Sequence, residues 1–340
     1  MLSLPSLQIK KIEFEMNPQI SVITPVYNVK HFIGKCVESL MSQTFTDVEY
    51  IFVNDASNDG SIDILRTIVE KYPSKNVRIL DHQENRGLPA SRKTGYEAST
   101  GKYIFNCDGD DWVEPTLLEK LYGAVVVDNI DYAYCDFYLS YEKAERYMKC
   151  PSFATPGEAL RKGYLSGSAK YNVWNKLIKK ELYDGAVFPV DHKKGGEDMI
   201  MLGVLSKAKS IAYVPEALYH YVKTNASAIS ENFSEQRLID VRYNADSAIN
   251  VLRNTYPADL EKEIAFFKLN VKLPFIITDD TAKYKVWREW YPEANGYIWE
   301  NECQSLKNKI VQWLAAKGLF CAVRLYFIVA YKLVYRLIYR

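Results

Sequence analysis

The sequence predicts an α/β fold, in which helices cover both faces of a mostly parallel β-sheet and a helical extension follows at the C-terminus. Two patterns carry this prediction. Short β-branched runs and helical apolar patterns alternate four times between Ile20 and Val127, which is typical of parallel strands joined by crossover helices. From Ser234 to Trp290 the pattern is mostly helical. With 48% hydrophobic and 25% charged residues among 340, the composition is that of an ordinary globular chain of about two domains.

The predicted elements run in a regular order before residue 128 and in a mixed order after it. The strand and helix pairs are Ile20–Pro25 and Val29–Gln43, Val48–Val53 and Ser61–Tyr72, Val77–Leu80 and Pro89–Ser99, and Lys102–Cys107 and Pro115–Val127. Later strands are predicted over Asp131–Tyr141 and Ile211–Val222, with helices within Lys170–Leu182 and over Glu197–Lys207. We therefore expect an extension over 1–16, a main domain over 17–232, a helical region over 233–305 and a tail over 306–340.

The charge is unevenly distributed along the chain. The net charge of +1 argues against a broad basic surface for nucleic acid. Residues 306–340 carry seven basic and no acidic side chains, which leaves −6 for the rest. Such asymmetry predicts an anionic partner for the tail. The six cysteines have neither CxxC nor zinc-finger spacing, and we expect reduced thiols.

Polar, turn-forming residues follow the predicted strands, where ligands bind in open α/β sheets. Asp108-Gly-Asp110-Asp111 follows the fourth strand directly. Asp108 and Asp110 are separated by one residue, so at a strand end their side chains project the same way and can reach one ligand together. Gly109 between them leaves room for a nucleotide. Clustered carboxylates suit a hard divalent cation such as Mg²⁺ or Mn²⁺. Taken alone, the segment is better explained as a solvated acidic turn that caps the following helix, since acidic turns are common.

Two further strand ends add polar groups. Asp55 follows the second strand, where a carboxylate can accept hydrogen bonds from a base or a ribose. Asn85-Arg-Gly87 precedes a helix that carries Arg92 and Lys93 near its start. Positive charges at the start of a helix are unfavourable with respect to the helix dipole. A diphosphate bound nearby would explain them; alternatively, both are simply solvated basic side chains.

Together these motifs resemble the family-two glycosyltransferases. The resemblance rests on Ile20–Asn28, Val53-Asn-Asp-Ala-Ser57, Asn85-Arg-Gly87 with Arg92, and Asp108-Gly-Asp-Asp-Trp112, in that order, and covers roughly 18–232. It implies an inverting enzyme with the GT-A fold, a Rossmann-like, mostly parallel sheet.

The resemblance also implies roles for particular residues. Pro25, Val26 and Tyr27 would line the nucleobase pocket, and Asp55 would bind the uracil or its ribose. Arg92, with Asn85 and Gly87, would lie close to the nucleotide. Asp108 would approach the ribose, and Asp110, with Asp108, would hold the Mn²⁺ or Mg²⁺ that neutralises the diphosphate.

The second half supplies a base in this family. Gly196-Glu-Asp198 opens a predicted helix, and the resemblance makes Asp198 the preferred general base and Glu197 the second choice. Favourable helix charging is the alternative explanation. Lys176, in Trp174-Asn-Lys-Leu177, could touch phosphate but is expected on a helix surface. His220 is expected to be a strand histidine, although GT-A folds can add a late histidine to the metal site.

The implied reaction is a single displacement. An acceptor hydroxyl attacks the anomeric carbon as the nucleoside diphosphate leaves, so the anomeric centre inverts. The donor is expected to be a UDP-sugar, and the acceptor a glycan or a lipid-linked glycan of bacterial capsule or lipopolysaccharide synthesis. The alternatives are a non-catalytic sugar-nucleotide-binding protein and a processive polysaccharide synthase. The sequence lacks the QxxRW motif of such synthases, and it also lacks GxGxxG after the first strand and GxxxxGK[ST].

The tail is too interrupted by charge to span a bilayer. Its longest uncharged stretch between Lys317 and Arg336 is Leu325–Tyr331, whereas a span needs about 20 apolar residues. Drawn as one helix, Lys317, Arg324, Lys332 and Arg336 fall on a narrow basic face. We therefore expect the tail to lie on the anionic inner face of the cytoplasmic membrane and to anchor a cytoplasmic protein peripherally. Packing on the protein is the competing expectation.

Overall fold

The structure is a computed structural model that describes residues 17–184, 188–189, 196–225, 235–256 and 260–329. The expected extension over 1–16, the boundary at 232, and the tail residues Lys332 and Arg336 lie outside these ranges.

A single mixed sheet organises the chain. In the described residues it has nine strands, in the order β3-β2-β1-β4-β8-β6-β9-β5, and β7 pairs with β6. The neighbouring strands in the series β3-β2-β1-β4 pair in parallel, as do β6 and β9. The other neighbouring strands pair antiparallel. The strands are β1 Ile20–Val26, β2 Val48–Asn54, β3 Asn76–Asp81, β4 Tyr103–Asn106, β5 Trp112–Val113, β6 Tyr132–Ser140, β7 Glu145–Met148, β8 Lys176–Lys179 and β9 Ile211–Val222.

Helices cover both faces of this sheet and continue beyond it. They are α1 Ile33–Met41, α2 Ser61–Val69, α3 Leu88–Ala98, α4 Leu117–Val126, α5 Pro156–Glu158 with a π-helix over Ala159–Leu165, α6 Glu197–Lys207, α7 Glu235–Thr255, α8 Glu261–Lys272, α9 Ala282–Glu289, α10 Leu306–Ala316 and α11 Phe320–Phe327. Short 3₁₀-helices cover Lys180–Tyr183, Leu273–Ile276 and Pro292–Tyr297.

Two cores form because successive residues of a strand face opposite sides of the sheet. Val22 of β1 packs with α1, α2 and α4, whereas the next residue, Ile23, packs with the core that contains α6, α7 and α8. Both side chains are almost fully buried. The helices that follow β9 therefore extend one face of the sheet and share its core.

The predicted alternation of four strands and helices is confirmed, and one later prediction is wrong. The segment Lys170–Leu182 was expected to contain an α-helix, but it forms β8 and a 3₁₀-turn. β8 inserts between β4 and β6, with antiparallel pairing to both. Lys176 was expected on a helix surface, but it lies on this strand and is only 3% exposed. Its ammonium donates to the Asn172 carbonyl and to Asn175 Oδ1, which makes the burial possible.

The first part of the tail is two helices and not one. α10 ends at Ala316, and Gly318 has a positive φ of 74° before α11 begins. Val311 and Val323 are fully buried in the core shared with α8 and α9. The continuous helical wheel expected from Lys317 onward is therefore wrong for Lys317 and Arg324, which lie on opposite sides of this break.

Candidate active site

The polar strand ends meet because the strands that carry them are parallel neighbours. β1 pairs with β2, with Val26 opposite Asn54, and it pairs on its other side with β4. Asp55 follows β2 directly, and Asp108 lies two residues after the end of β4. The motifs that lie far apart in the sequence therefore surround one edge of the sheet, as expected for an open α/β site.

Asp55 is the centre of a closed hydrogen-bond network. Its carboxylate accepts from Asn85 Nδ2 at 3.0 Å, from the backbone N–H groups of Arg86 at 2.8 Å and Gly87 at 2.7 Å, and bonds to His82 Nδ1 at 2.8 Å. A carboxylate has about four acceptor positions, so the protein fills them. The structure brings Asp55, Asn85 and Gly87 together, and it makes Asp55 the anchor of the loop before α3.

His82 is a member of this network that the motif analysis did not identify. It follows β3 as Asp55 follows β2, and this strand-end position was the available signal. Its Nδ1–H can donate to Asp55. Its Nε2 lies 2.9 Å from the hydroxyl oxygen of Thr94 on α3 and can accept a hydrogen bond from that hydroxyl. The ring thus links the ends of two strands to α3.

The end of β1 packs against the turn after β4. Pro25 and Val26 are buried, whereas Tyr27 is 49% exposed and offers a free ring face. A Cβ atom at Gly109 would lie 2.8 Å from the Pro25 carbonyl oxygen. Gly109 is therefore required by the approach of two backbone segments, which is a reason additional to the expected room for a nucleotide.

Arg92 connects the two halves of the site. It lies in the second turn of α3 and is 2% exposed, and its Nη2 donates to Asp108 Oδ1 at 2.9 Å and to Glu197 Oε1 at 2.8 Å. Lys93, in contrast, pairs with Glu97 on the surface. The cations at the start of this helix are thus balanced by carboxylates of the protein itself.

The three neighbouring aspartates have different environments. Asp111 accepts from the Tyr219 hydroxyl at 2.6 Å and from the Val222 N–H at 2.7 Å, which ties the turn to β9. Asp110 accepts from Asn225 Nδ2 at 2.8 Å, beside a cavity of about 240 Å³. Burial raises the pKa of both Asp110 and Asp111, and the charge of Asp108 raises both further.

A bound cation would relieve the repulsion between the carboxylate of Asp108 and those of Asp110 and Asp111. The residues therefore fit a hard divalent metal ion. Asp110 and Asp108 supply carboxylate oxygens, the donors that Mg²⁺ and Mn²⁺ prefer. Within the described ranges, no three metal-binding side chains gather in one place.

The acidic pair at the start of α6 divides into two roles. Glu197 is held by Arg92, whereas the Asp198 carboxylate accepts from backbone N–H groups, with Met199 N at 3.0 Å. Burial raises the pKa of Asp198 to about 6. A carboxylate with that pKa is ionised at neutral pH and still basic enough to take a proton.

Two side chains near this pair were missed or misplaced by the sequence analysis. Burial lowers the pKa of Lys176 to about 8, although the charge of Glu197 acts against this shift. The Tyr171 hydroxyl is buried without a hydrogen-bond partner in the described part of the chain. Burial and the charge of Asp198 both raise the Tyr171 pKa. The sequence pattern Trp174-Asn-Lys-Leu177 includes Lys176 but does not show its burial, and Tyr171 belongs to none of the motifs.

His220 is a strand histidine, as expected. Its Nδ1 and Nε2 each lie 2.8 Å from a carboxylate, of Glu145 and Glu114 respectively, and its ring stacks on Trp112. The cysteines of the described chain are free thiols, as expected.

A sequence profile for Glycosyl transferase family 2 matches residues 21–201. The match covers more than half of the chain, so the chain belongs to glycosyltransferase family 2. It is 31% identical over 227 residues to an uncharacterized glycosyltransferase, EpsJ, of Bacillus subtilis. That match covers 64% of each protein, so the chain spans less than two thirds of this relative's length.

Two solved structures resemble the whole chain in fold. Residues 1–349 of S. aureus TarS in complex with UDP have a TM-score of 0.62 at 18% identity, and the match covers 92% of this chain and 91% of that TarS fragment. A mannosyltransferase from Pyrobaculum calidifontis in complex with GDP-Man and Mn²⁺ has a TM-score of 0.53 at 16% identity, and the match covers 93% and 86% of the two chains. The predicted GT-A fold with a C-terminal helical extension is thereby confirmed.

Proposed function

We propose that this protein is a metal-dependent inverting glycosyltransferase that moves one sugar from a nucleotide-sugar to an acceptor hydroxyl. The observation that carries the proposal is the buried bridge from Asp108 through Arg92 to Glu197. It links Asp108, on the donor side, to Glu197, the residue that precedes Asp198, and burial raises the pKa of the Asp198 carboxyl. A leaving diphosphate and an attacking hydroxyl need these two groups on either side of one reacting carbon.

Each residue of the site then has a part in the chemistry. Asp198 accepts the proton of the acceptor hydroxyl as the new bond forms. Tyr27 offers an exposed ring on which a base can stack, at the end of β1. The loop that Asp55 holds presents Asn85, Gly87 and the start of α3 to the nucleotide. Asp110 and Asp108 would hold Mn²⁺ or Mg²⁺, which stabilises negative charge on a leaving phosphate when it is bound.

The donor is proposed to be a UDP-sugar. UDP in the TarS structure supports this choice, whereas GDP-Man in the mannosyltransferase structure makes GDP-sugars the alternative. We propose that the acceptor is a glycan or lipid-linked glycan of bacterial surface polysaccharide synthesis, such as capsule or lipopolysaccharide. The bacterial relative EpsJ is consistent with that setting.

The test is turnover of a panel of UDP- and GDP-sugars with Mn²⁺, Mg²⁺ or chelator. A glycosyltransferase should release the nucleoside diphosphate from one donor, in a metal-dependent manner, and form a product of inverted anomeric configuration. Tight binding of a sugar nucleotide without release would identify a non-catalytic binding protein. Long polymer products from a single acceptor would identify a processive synthase.

We further propose that the protein is cytoplasmic and that its C-terminal segment docks on an anionic membrane. No helix within the described ranges is long and apolar enough to cross a membrane. Leu306, Ile310 and Trp313 share one face of α10, and are 65%, 39% and 39% exposed. Leu325 on α11 is 63% exposed. Apolar side chains beside an excess of basic residues are typical of surfaces that lie in a lipid interface.

Sedimentation with anionic liposomes tests this docking. Leu306→Glu with Leu325→Glu should abolish pelleting, because two charges would enter the lipid interface. Val127→Glu, at an 81% exposed position after α4, is the matched control. Equal pelleting of all three proteins, or none by the wild type, would leave the tail as a packing element only.

A further inference from the structure

Arg92 is fixed in place by the packing of its helix. A Cβ atom at Gly95, on the same helix, would lie 2.3 Å from Ile23 Cγ2 of β1. The backbone of α3 therefore lies directly on the sheet, which holds the backbone of Arg92 close to β1. Its side chain is 2% exposed and is among the largest fully buried ones in the described chain.

The guanidinium joins two segments that meet only in the folded protein. One nitrogen, Nη2, donates to Asp108 at 2.9 Å and to Glu197 at 2.8 Å. Asp108 follows β4 and is separated from Asp110 only by Gly109. Glu197 is the first residue of α6 and is followed by Asp198. A shift of Arg92 would thus be felt on both sides of the proposed reaction centre.

The same geometry makes direct recognition of the nucleotide by Arg92 a poorer explanation. Its Nε and Nη1 are shielded from solvent and have no hydrogen-bond partner in the described residues. A phosphate would have to open the buried cluster to reach them. Two carboxylates already balance the charge, and they would repel each other if the guanidinium were absent.

We infer that Arg92 is a positioning residue that fixes the start of α6, and with it Asp198, relative to the donor side of the site. This inference rests on the proposed function, and it departs from the nucleotide contact that the family resemblance implies. Glu197 is then the attachment point of α6 and not the base. Loss of the bridge should let the first turn of α6 move while the nucleotide pocket stays intact.

The experiment compares Arg92→Lys, Glu197→Gln and the double variant with the wild type. Lysine keeps the charge, but its ammonium lies one bond closer to the backbone than the Nη2 atom that bonds both carboxylates. Glutamine keeps the size of Glu197 but not its charge. We expect kcat to fall by about 10²-fold in each, the scale of a small misplacement of reacting groups. The Kd for UDP should stay within about twofold, and the double variant should match the worse single variant within about twofold.

Hydrogen exchange of α6 gives a readout that does not depend on catalysis. Exchange in 197–207 should accelerate in both single variants, while exchange in α1 stays unchanged. Lys93→Gln, which removes only the surface pair with Glu97, is the control and should alter neither kcat nor exchange.

Three results would overturn the inference. The first is a loss of UDP affinity in Arg92→Lys that is as large as the loss of kcat. The second is a kcat loss in the double variant that equals the product of the two single losses. The third is unchanged hydrogen exchange of α6. If the wild type turns over no sugar nucleotide, the proposed glycosyl transfer fails. The exchange measurement still decides whether Arg92 holds α6.

Discussion

The activity of this protein should decline as the pH falls through 6. Burial at the start of α6 raises the pKa of Asp198 to about 6, against an ordinary value of 3.8, although the backbone N–H groups of Met199 and of Asp198 itself act in the opposite direction. A general base must be ionised to accept a proton. Protonation of Asp198 therefore removes the base at a pH at which an exposed aspartate would still be ionised.

The size of the effect follows from the ionised fraction. For a pKa of about 6, roughly nine tenths of Asp198 is ionised at pH 7 and roughly one tenth at pH 5. We expect kcat to fall about tenfold over this interval. With the ordinary value of 3.8, the loss would be less than about a tenth of kcat.

The assay is release of nucleoside diphosphate at saturating donor and acceptor, in buffers of constant ionic strength from pH 5 to 8. Calorimetric titration with UDP over the same range is the control, because burial also raises the pKa of Asp110. A kcat that is flat between pH 5 and 7 would refute the assignment of Asp198 as base. The same would follow if kcat declined only in parallel with UDP binding.

Four substitutions test the remaining parts of the site. Asp198→Asn should lower kcat by about 10²-fold. In urea titration at pH 7.5 the same variant should have a free energy of unfolding that is higher by on the order of 1 kcal/mol, because it removes a partly buried charge. Asp110→Asn should abolish turnover, as should excess chelator, and residual activity in chelator would contradict the metal assignment. Gly95→Ala should destabilise the fold by about 1–3 kcal/mol in thermal unfolding, because its Cβ would meet Ile23. Asp55→Asn should cost about 1–3 kcal/mol through its unpaired donors and weaken UDP binding in calorimetry; an unchanged UDP affinity would exclude the loop from the nucleotide pocket.

The first half of the fold, and the edge of the sheet at which the polar motifs meet, could be predicted from the sequence alone. Strands such as Val48–Asn54 are recognisable because a buried parallel strand is mostly apolar, although this one also buries Glu49. The polar residues after each strand predict one ligand edge, since parallel neighbours end together. The same local logic identified α6 and β9 with their observed bounds.

The surroundings of each polar side chain became evident only in the folded protein. Lys176 reads as a surface lysine until β8 is placed between two other strands, where Asn172 and Asn175 satisfy its amine. Asp55 reads as a ligand-binding carboxylate until the loop before α3 fills its oxygens. The bridge from Arg92 to Glu197 joins segments that share no local pattern. Periodicity along a chain encodes which face is buried, whereas hydrogen-bond partners, burial of single charges and the resulting pKa values depend on groups that folding brings from distant parts of the sequence.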